Sequence, residues 1–173
     1  MKALKYDFNM PAVVLSKLHL APKYKMVKYR KDWPSPERKY PNQVIIKTIL
    51  GGICASDLHE IGLHISYYAS ILASPINPFP IGHEVVGSVH RGDDSGRIKE
   101  GDRVVYFPIN HCAAYGFQLC PSCKQGNLQQ CYCLVGLGDG GAKENLYGGH
   151  NKFGGFGGGG FSEEFAAFTP QLY

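Results

Sequence analysis

Apolar and polar residues alternate over short stretches through much of the 173-residue chain, which points to strands more than to long helices. Gln43 to Leu50 reads QVIIKTIL, a run of β-branched residues that predicts a strand. Tyr24 to Tyr29, YKMVKY, sets apolar residues between lysines and predicts another. Residues 31–42 between them, KDWPSPERKYPN, carry three prolines and predict a loop. Further strands are expected at Glu84–His90, Asp102–Phe107 and Ser162–Phe168, with turn-forming RGDDSG at 91–96 and EGD at 100–102. Only Ser56–Leu63 and Ser66–Ala73 read as short helices. Residues 136–160 hold twelve of the 22 glycines and predict a long loop, because glycine offers no side chain to pack and loses the most entropy on ordering. Many short strands, little helix and no repeat or heptad predict a mostly β barrel or sandwich.

Composition narrows the function classes. With 44% hydrophobic and 18% charged residues the chain has material for a real core and too little charge for a disordered segment. The net charge is only +4, although residues 1–47 hold 11 bases against 3 acids. Lysines that alternate with apolar residues in that third predict a solvated sheet face, and no nucleic-acid partner is expected. Apolar runs fall short of a membrane span and the first residues show no signal-peptide pattern, so a cytoplasmic protein without a membrane partner is the expectation.

Cysteine and histidine positions carry the candidate chemistry. Cys54 stands in Gly-Ile-Cys-Ala-Ser-Asp-Leu-His at 52–59, and Gly-His-Glu follows at 82–84. Thiolate, imidazole and carboxylate from Cys54, His83 and Glu84 form a donor set suited to zinc, and Asp57 can accept the free ring N–H of a ligating histidine. The other five cysteines lie within residues 112–133. In a chain without a secretion signal this clustering predicts a metal site before it predicts disulfides. Cys120-x2-Cys123-x7-Cys131 presents three thiolates; Cys112, Cys133 and His111 are candidates for a fourth ligand. Gly136 to Gly141 matches GxGxxG, but no βαβ pattern surrounds it, and it is read as loop.

In this order, GGICASDLH (51–59), PFPIGHEVVGSV (78–89), EGDRVVYFP (100–108), CPSCKQGNLQQC (120–131) and GGFSEEF (159–165) resemble zinc-dependent medium-chain alcohol dehydrogenases over roughly Val44 to Phe165. The resemblance implies a GroES-like β-barrel over residues 1–173, with short helices, a cysteine-rich zinc lobe at about 111–133 and the glycine-rich loop at about 136–160. It implies Cys54 and His83 as catalytic zinc ligands with Glu84 beside the metal. Ser56 is implied to hydrogen-bond the substrate hydroxyl, His59 to pass its proton to solvent, and Asp57 to orient the ligating histidine. It also implies a structural zinc on Cys120, Cys123 and Cys131. The family's first lobe cysteine is replaced here by Phe117, and Cys112, Cys133 or His111 would have to supply the fourth ligand.

The resemblance further implies oxidation of an alcohol, polyol or sugar by hydride transfer to NAD or NADP. The family binds that cofactor in a Rossmann domain, which these 173 residues do not include. The expectation is therefore a catalytic domain that works with a Rossmann partner in cis or in trans; the alternative is a non-catalytic GroES-like zinc-binding or interaction module. Ile61 to Pro80 is expected to border the substrate pocket.

Overall fold

The computed structural model describes residues 1–7, 9–38, 40–62, 79–108, 111–112, 118–131 and 159–173. Its backbone is a four-stranded antiparallel sheet with a three-stranded antiparallel sheet beside it. The longest strand is built on the QVIIKTIL run, which extends through two glycines. We number the strands β1 (Ala3–Tyr6), β2 (Val27–Arg30), β3 (Gln43–Gly52), β4 (Phe79–Pro80), β5 (Glu84–Arg91), β6 (Arg103–Tyr106) and β7 (Glu164–Phe168). The larger sheet runs β6-β5-β3-β7 and the smaller β2-β1-β4. Strands β3, β5, β6 and β7 occupy the segments expected from sequence, within two residues at their ends.

Period-two patterning decides which face of the larger sheet is apolar. Val85 and Val89 of β5 and Val104 and Tyr106 of β6 point to one side, where they meet Val44, Ile46, Phe165 and Ala167. The Tyr106 and Phe165 rings pack edge to face with centroids 5.1 Å apart. After β7 the chain makes a 3-10 turn at Thr169–Gln171 and reaches the opposite edge of the sheet. There Leu172 bridges to Tyr106, Val105 N–H donates to Tyr173 O (2.8 Å), and Phe107 N–H donates to Gln171 O (2.8 Å). The edge of β6 is thereby paired and the sheet closes on itself, which protects a row of backbone groups from pairing with another chain.

Three short helices are described: α1 (Met10–Lys17), α2 (Ala55–Ile61) and α3 (Pro121–Lys124). The first and third correct the expectation that only 56–63 and 66–73 are helical. Pro11 is the second residue of α1, in the first turn, where its missing N–H breaks no intrahelical bond, and the Asn9 side chain caps the helix by accepting from Ala12 N–H (3.1 Å). The strand expected at Tyr24–Tyr29 is also corrected. Lys23–Met26 is a 3-10 turn and only Val27–Arg30 is strand. The turn carries Met26 inward beside Tyr6, Val13 and Ile81 in a second apolar cluster. Nor is every lysine of this third solvated: Lys5 is buried, with Nζ 3.1 Å from an Asp7 carboxylate that Lys28 also reaches. The helix expected at 66–73 and nearly all of the glycine-rich loop lie outside the described residues. Among the described residues no helix is long and apolar enough to cross a membrane.

Candidate metal centres

Two motifs that lie far apart in sequence meet through strand pairing. β3 and β5 are antiparallel, and their register sets Gly52 opposite Glu84. The residue pair that follows Gly52 ends in Cys54, and the residue that precedes Glu84 is His83. The thiol, an imidazole nitrogen and a Glu84 carboxylate oxygen consequently lie within 4.8 Å of one another. A Cβ on Gly52 would stand 2.7 Å from Glu84 Oε2, so glycine at 52 leaves the room that this carboxylate occupies.

Asp57 organises the cluster from behind. It sits in the first turn of α2 and its Oδ2 accepts from Cys54 N–H (2.9 Å), half of the reciprocal arrangement that caps a helix start. Its Oδ1 lies 3.5 Å from His83 Nδ1. Burial works to raise the Asp57 pKa, yet it stays below its ordinary value because His83 and the Cys54 and Gly82 N–H groups all stabilise the carboxylate. In turn Asp57 lifts His83 from 6.5 to about 9 against the effect of burial, with a smaller contribution from Cys54. Hydrogen bonds from Ser56, then from His83, hold the Cys54 thiol below its ordinary value. The far ring nitrogen, Nε2, is 3.2 Å from Ser56 Oγ. Ser56 and His59 stand three residues apart on α2, one helical turn, and both are exposed.

The donor set fits a divalent cation such as zinc. It offers a thiolate, an imidazole whose other nitrogen faces a buried carboxylate, and a second carboxylate, with the Ser56 hydroxyl beside them.

The second cluster is closed by sulfur alone. Pro121 starts α3 with Cys120 as its cap residue, and Lys124 N–H donates to Cys120 O (3.0 Å). This single turn brings Cys120 and Cys123 to one side. A 3-10 turn at Leu128–Gln130 then delivers Cys131, and Cys112 arrives from the strand side. All four sulfurs lie within 4.8 Å of one another, with Cys112 and Cys131 3.6 Å apart. Zinc–sulfur bonds of about 2.3 Å in a tetrahedron set sulfurs about 3.8 Å apart, so the cluster has the size of a zinc site. All four thiols are free of disulfides. Burial, then the neighbouring Cys131 and Cys120, push the Cys123 thiol up to about 12, because a lone thiolate here has no countercharge. His111 is buried next to Cys112, and burial lowers its pKa; it is not one of the four converging groups. Cys133 and Phe117 lie outside the described residues, as does most of the segment from Ile61 to Pro80.

Sequence reasoning missed Gly82 and Phe161. Gly82 has φ +91° immediately before His83, and the Phe161 ring packs on it. A glycine preceding a ligand residue was the available signal.

The fold is a closed, mostly β barrel that bears one mixed-donor and one four-sulfur cluster, each of which could hold a metal ion. The chain belongs to the alcohol dehydrogenase GroES-like domain family, whose model matches residues 40–171. It is 40% identical over 90 residues to an uncharacterized zinc-type alcohol dehydrogenase-like protein of Escherichia coli, covering 49% of this chain and 23% of that protein. It is 31% identical over 129 residues to (R,R)-butanediol dehydrogenase of Saccharomyces cerevisiae, covering 65% of this chain and 34% of that one. The chain thus matches about a quarter to a third of the length of these relatives. Galactitol-1-phosphate dehydrogenase from Escherichia coli shares the fold with a TM-score of 0.64 at 21% identity, over 100% of this chain and 37% of that one.

Proposed function

We propose that residues 1–173 form the catalytic domain of a zinc-dependent dehydrogenase that oxidises a small alcohol, polyol or sugar, with NAD or NADP held by a Rossmann domain outside these residues. The observation that carries the reading is the convergence of Cys54, His83 and Glu84 on one point, with buried Asp57 behind the histidine. In this reading Cys54, His83 and Glu84 hold the catalytic zinc, while Cys112, Cys120, Cys123 and Cys131 hold a structural zinc that fixes the lobe. When bound, zinc supplies a Lewis acid that makes an alcohol hydroxyl in contact with it easier to deprotonate. The hydroxyl of Ser56 receives the substrate's hydrogen bond. His59, exposed one turn further along α2, hands the proton to solvent. Asp57 keeps the His83 ring oriented with Nε2 towards the Ser56 side. A nicotinamide cofactor, held outside these residues, would supply the hydride acceptor, so that an alcohol losing a proton and a hydride would leave as a carbonyl compound. The names of the similar proteins, butanediol dehydrogenase among them, support a small hydroxyl compound as substrate.

The test joins the zinc-loaded chain to the nucleotide-binding domain of a relative and follows NAD(P)H formation with a panel of alcohols and polyols. Turnover that disappears in Cys54→Ser supports the reading. A correctly folded, zinc-loaded fusion with no turnover on any substrate favours the non-catalytic module.

A further inference from the structure

The three residues Ile81, Gly82 and His83 belong to no strand, so their backbone groups must find partners elsewhere. They find them in the Gly-Gly-Phe segment before β7. Phe161 N–H donates to Ile81 O, and both Gly159 N–H and Gly160 N–H donate to Gly82 O, all at 2.9 Å. On its other side Gly82 N–H stabilises the Asp57 carboxylate. The residue before His83 is therefore tied at both ends, once to the carboxylate that faces the His83 ring and once to the 159–160 turn.

The phenyl ring of Phe161 completes the restraint. Gly82, at φ +91°, turns a face without a side chain to it: a Cβ there would lie 2.7 Å from Phe161 Cδ1 and 2.8 Å from Cγ. Gly51, three residues before Cys54, offers a second such face, with Cδ1 at 3.2 Å from its would-be Cβ. The ring thus wedges between the segment that delivers Cys54 and the segment that delivers His83. Behind it stands the apolar cluster of Tyr6, Val13, Met26 and Ile81, and Phe161 O accepts from Leu4 N–H (2.8 Å), which anchors the wedge to the smaller sheet.

Resting on the metal-site reading above, we propose that Phe161 is a positioning residue for the mixed-donor centre: its ring and the Gly159–Gly160 turn set the separation between Cys54 and His83 and so the affinity for the metal. Hydrogen-bonded partners outside the ligand set commonly contribute about 10–100-fold in metal affinity by orienting the ligands, and a wedge that fixes the spacing of two ligand segments is expected to act on that scale.

The test is residue-resolved and independent of activity. The 173-residue chain is equilibrated in buffers of graded free zinc, pulsed with iodoacetamide, and the alkylation of each cysteine is read by peptide mass. In Phe161→Ala the free zinc needed to protect Cys54 rises by about 10–100-fold, while Cys120 and Cys123 are protected as in the wild type. Phe161→Leu recovers most of the loss. A matched glycine pair gives a second, independent arm. Gly82 and Gly101 have φ of +91° and +89°, but a Cβ on Gly101 would meet nothing within 4 Å. Both alanine variants carry the backbone strain, and only Gly82→Ala crowds Phe161, at its ring and at its backbone N (2.9 Å); it alone loses Cys54 protection. Cys54 protected at wild-type zinc levels in Phe161→Ala and Gly82→Ala overturns the proposal. If Phe161→Ala loses cooperative melting, the Gly82 and Gly101 comparison decides. If zinc never protects wild-type Cys54, the metal-site reading itself fails, and this inference with it.

Discussion

Asp57→Asn removes one charge while keeping shape. The buried carboxylate accepts from Cys54 N–H at 2.9 Å and stands 3.5 Å from His83 Nδ1. Its coupling to His83 is the main reason that the imidazole, ordinarily at 6.5, titrates at about 9 in the metal-free chain. A displacement of that size corresponds to about 3 kcal/mol at full strength. The His83 side chain is 25% exposed and the separation is long, so solvent screening reduces this to about 1–2 kcal/mol. The sign follows from linkage. A folded-state pKa raised above the unfolded value stabilises fully below 6.5 and fades as the pH climbs through about 9. The deficit of metal-free Asp57→Asn relative to wild type should therefore be larger near pH 6 than near pH 10 by about 1–2 kcal/mol. Urea denaturation at the two pH values measures the gap, and NMR titration of the His83 ring should show its midpoint falling from about 9 towards 6.5. A gap of equal size at both pH values, or an unmoved His83 midpoint, refutes the coupling.

Phe165 is fully buried and packs edge to face on Tyr106, so Phe165→Ala should cost about 3–5 kcal/mol and lower Tm by roughly 6–20 °C. Val105→Ala, on the outward face of β6, should change Tm little; equal losses by calorimetry would contradict the assigned faces of the barrel. Metal removal should act locally. Among the described residues of the lobe are a four-residue helix and a 3-10 turn around its thiols, so a chelator should abolish hydrogen-exchange protection at the Lys124 and Cys131 amides while β3 and β5 stay protected. Lobe amides that keep their protection without metal would show that apolar packing alone holds this region.

The parts of the fold legible in sequence are those encoded within a few residues. QVIIKTIL and EVVGSVH announce strands because β-branched side chains suit a pleated surface and turn residues bound them. Helix α1 was hidden because MPAVVLSK is apolar on most sides and shows no clear 3.6-residue stripe. Pro11 adds to the difficulty: it reads as a breaker unless it falls in the first turn, where the N–H it lacks has no intrahelical partner. Barrel closure was also out of reach, since the bridge from Leu172 to Tyr106 joins segments 66 positions apart. At the candidate site, Cys54, His83 and Glu84 were readable as a donor set, but their convergence depends on the Gly52–Glu84 register. Cys112 stood in sequence beside His111 and Cys133 as an alternative; the path of the backbone brings its sulfur to Cys131. Gly82 signalled itself only by its place before His83, because its contribution is a backbone angle and an absent Cβ, and Phe161 acts through a ring contact that no local pattern marks.

In the proposed function each donor cluster, one of mixed donors and one of four sulfurs, holds its own zinc. Elemental analysis of protein purified without added metal tests it most directly, comparing wild type with Cys54→Ala and Cys123→Ala. Two zinc ions per wild-type chain and one in each variant are expected, since each substitution empties its own cluster and spares the other. A folded wild-type chain without zinc, or a Cys54→Ala variant that retains all the wild-type zinc, would contradict it.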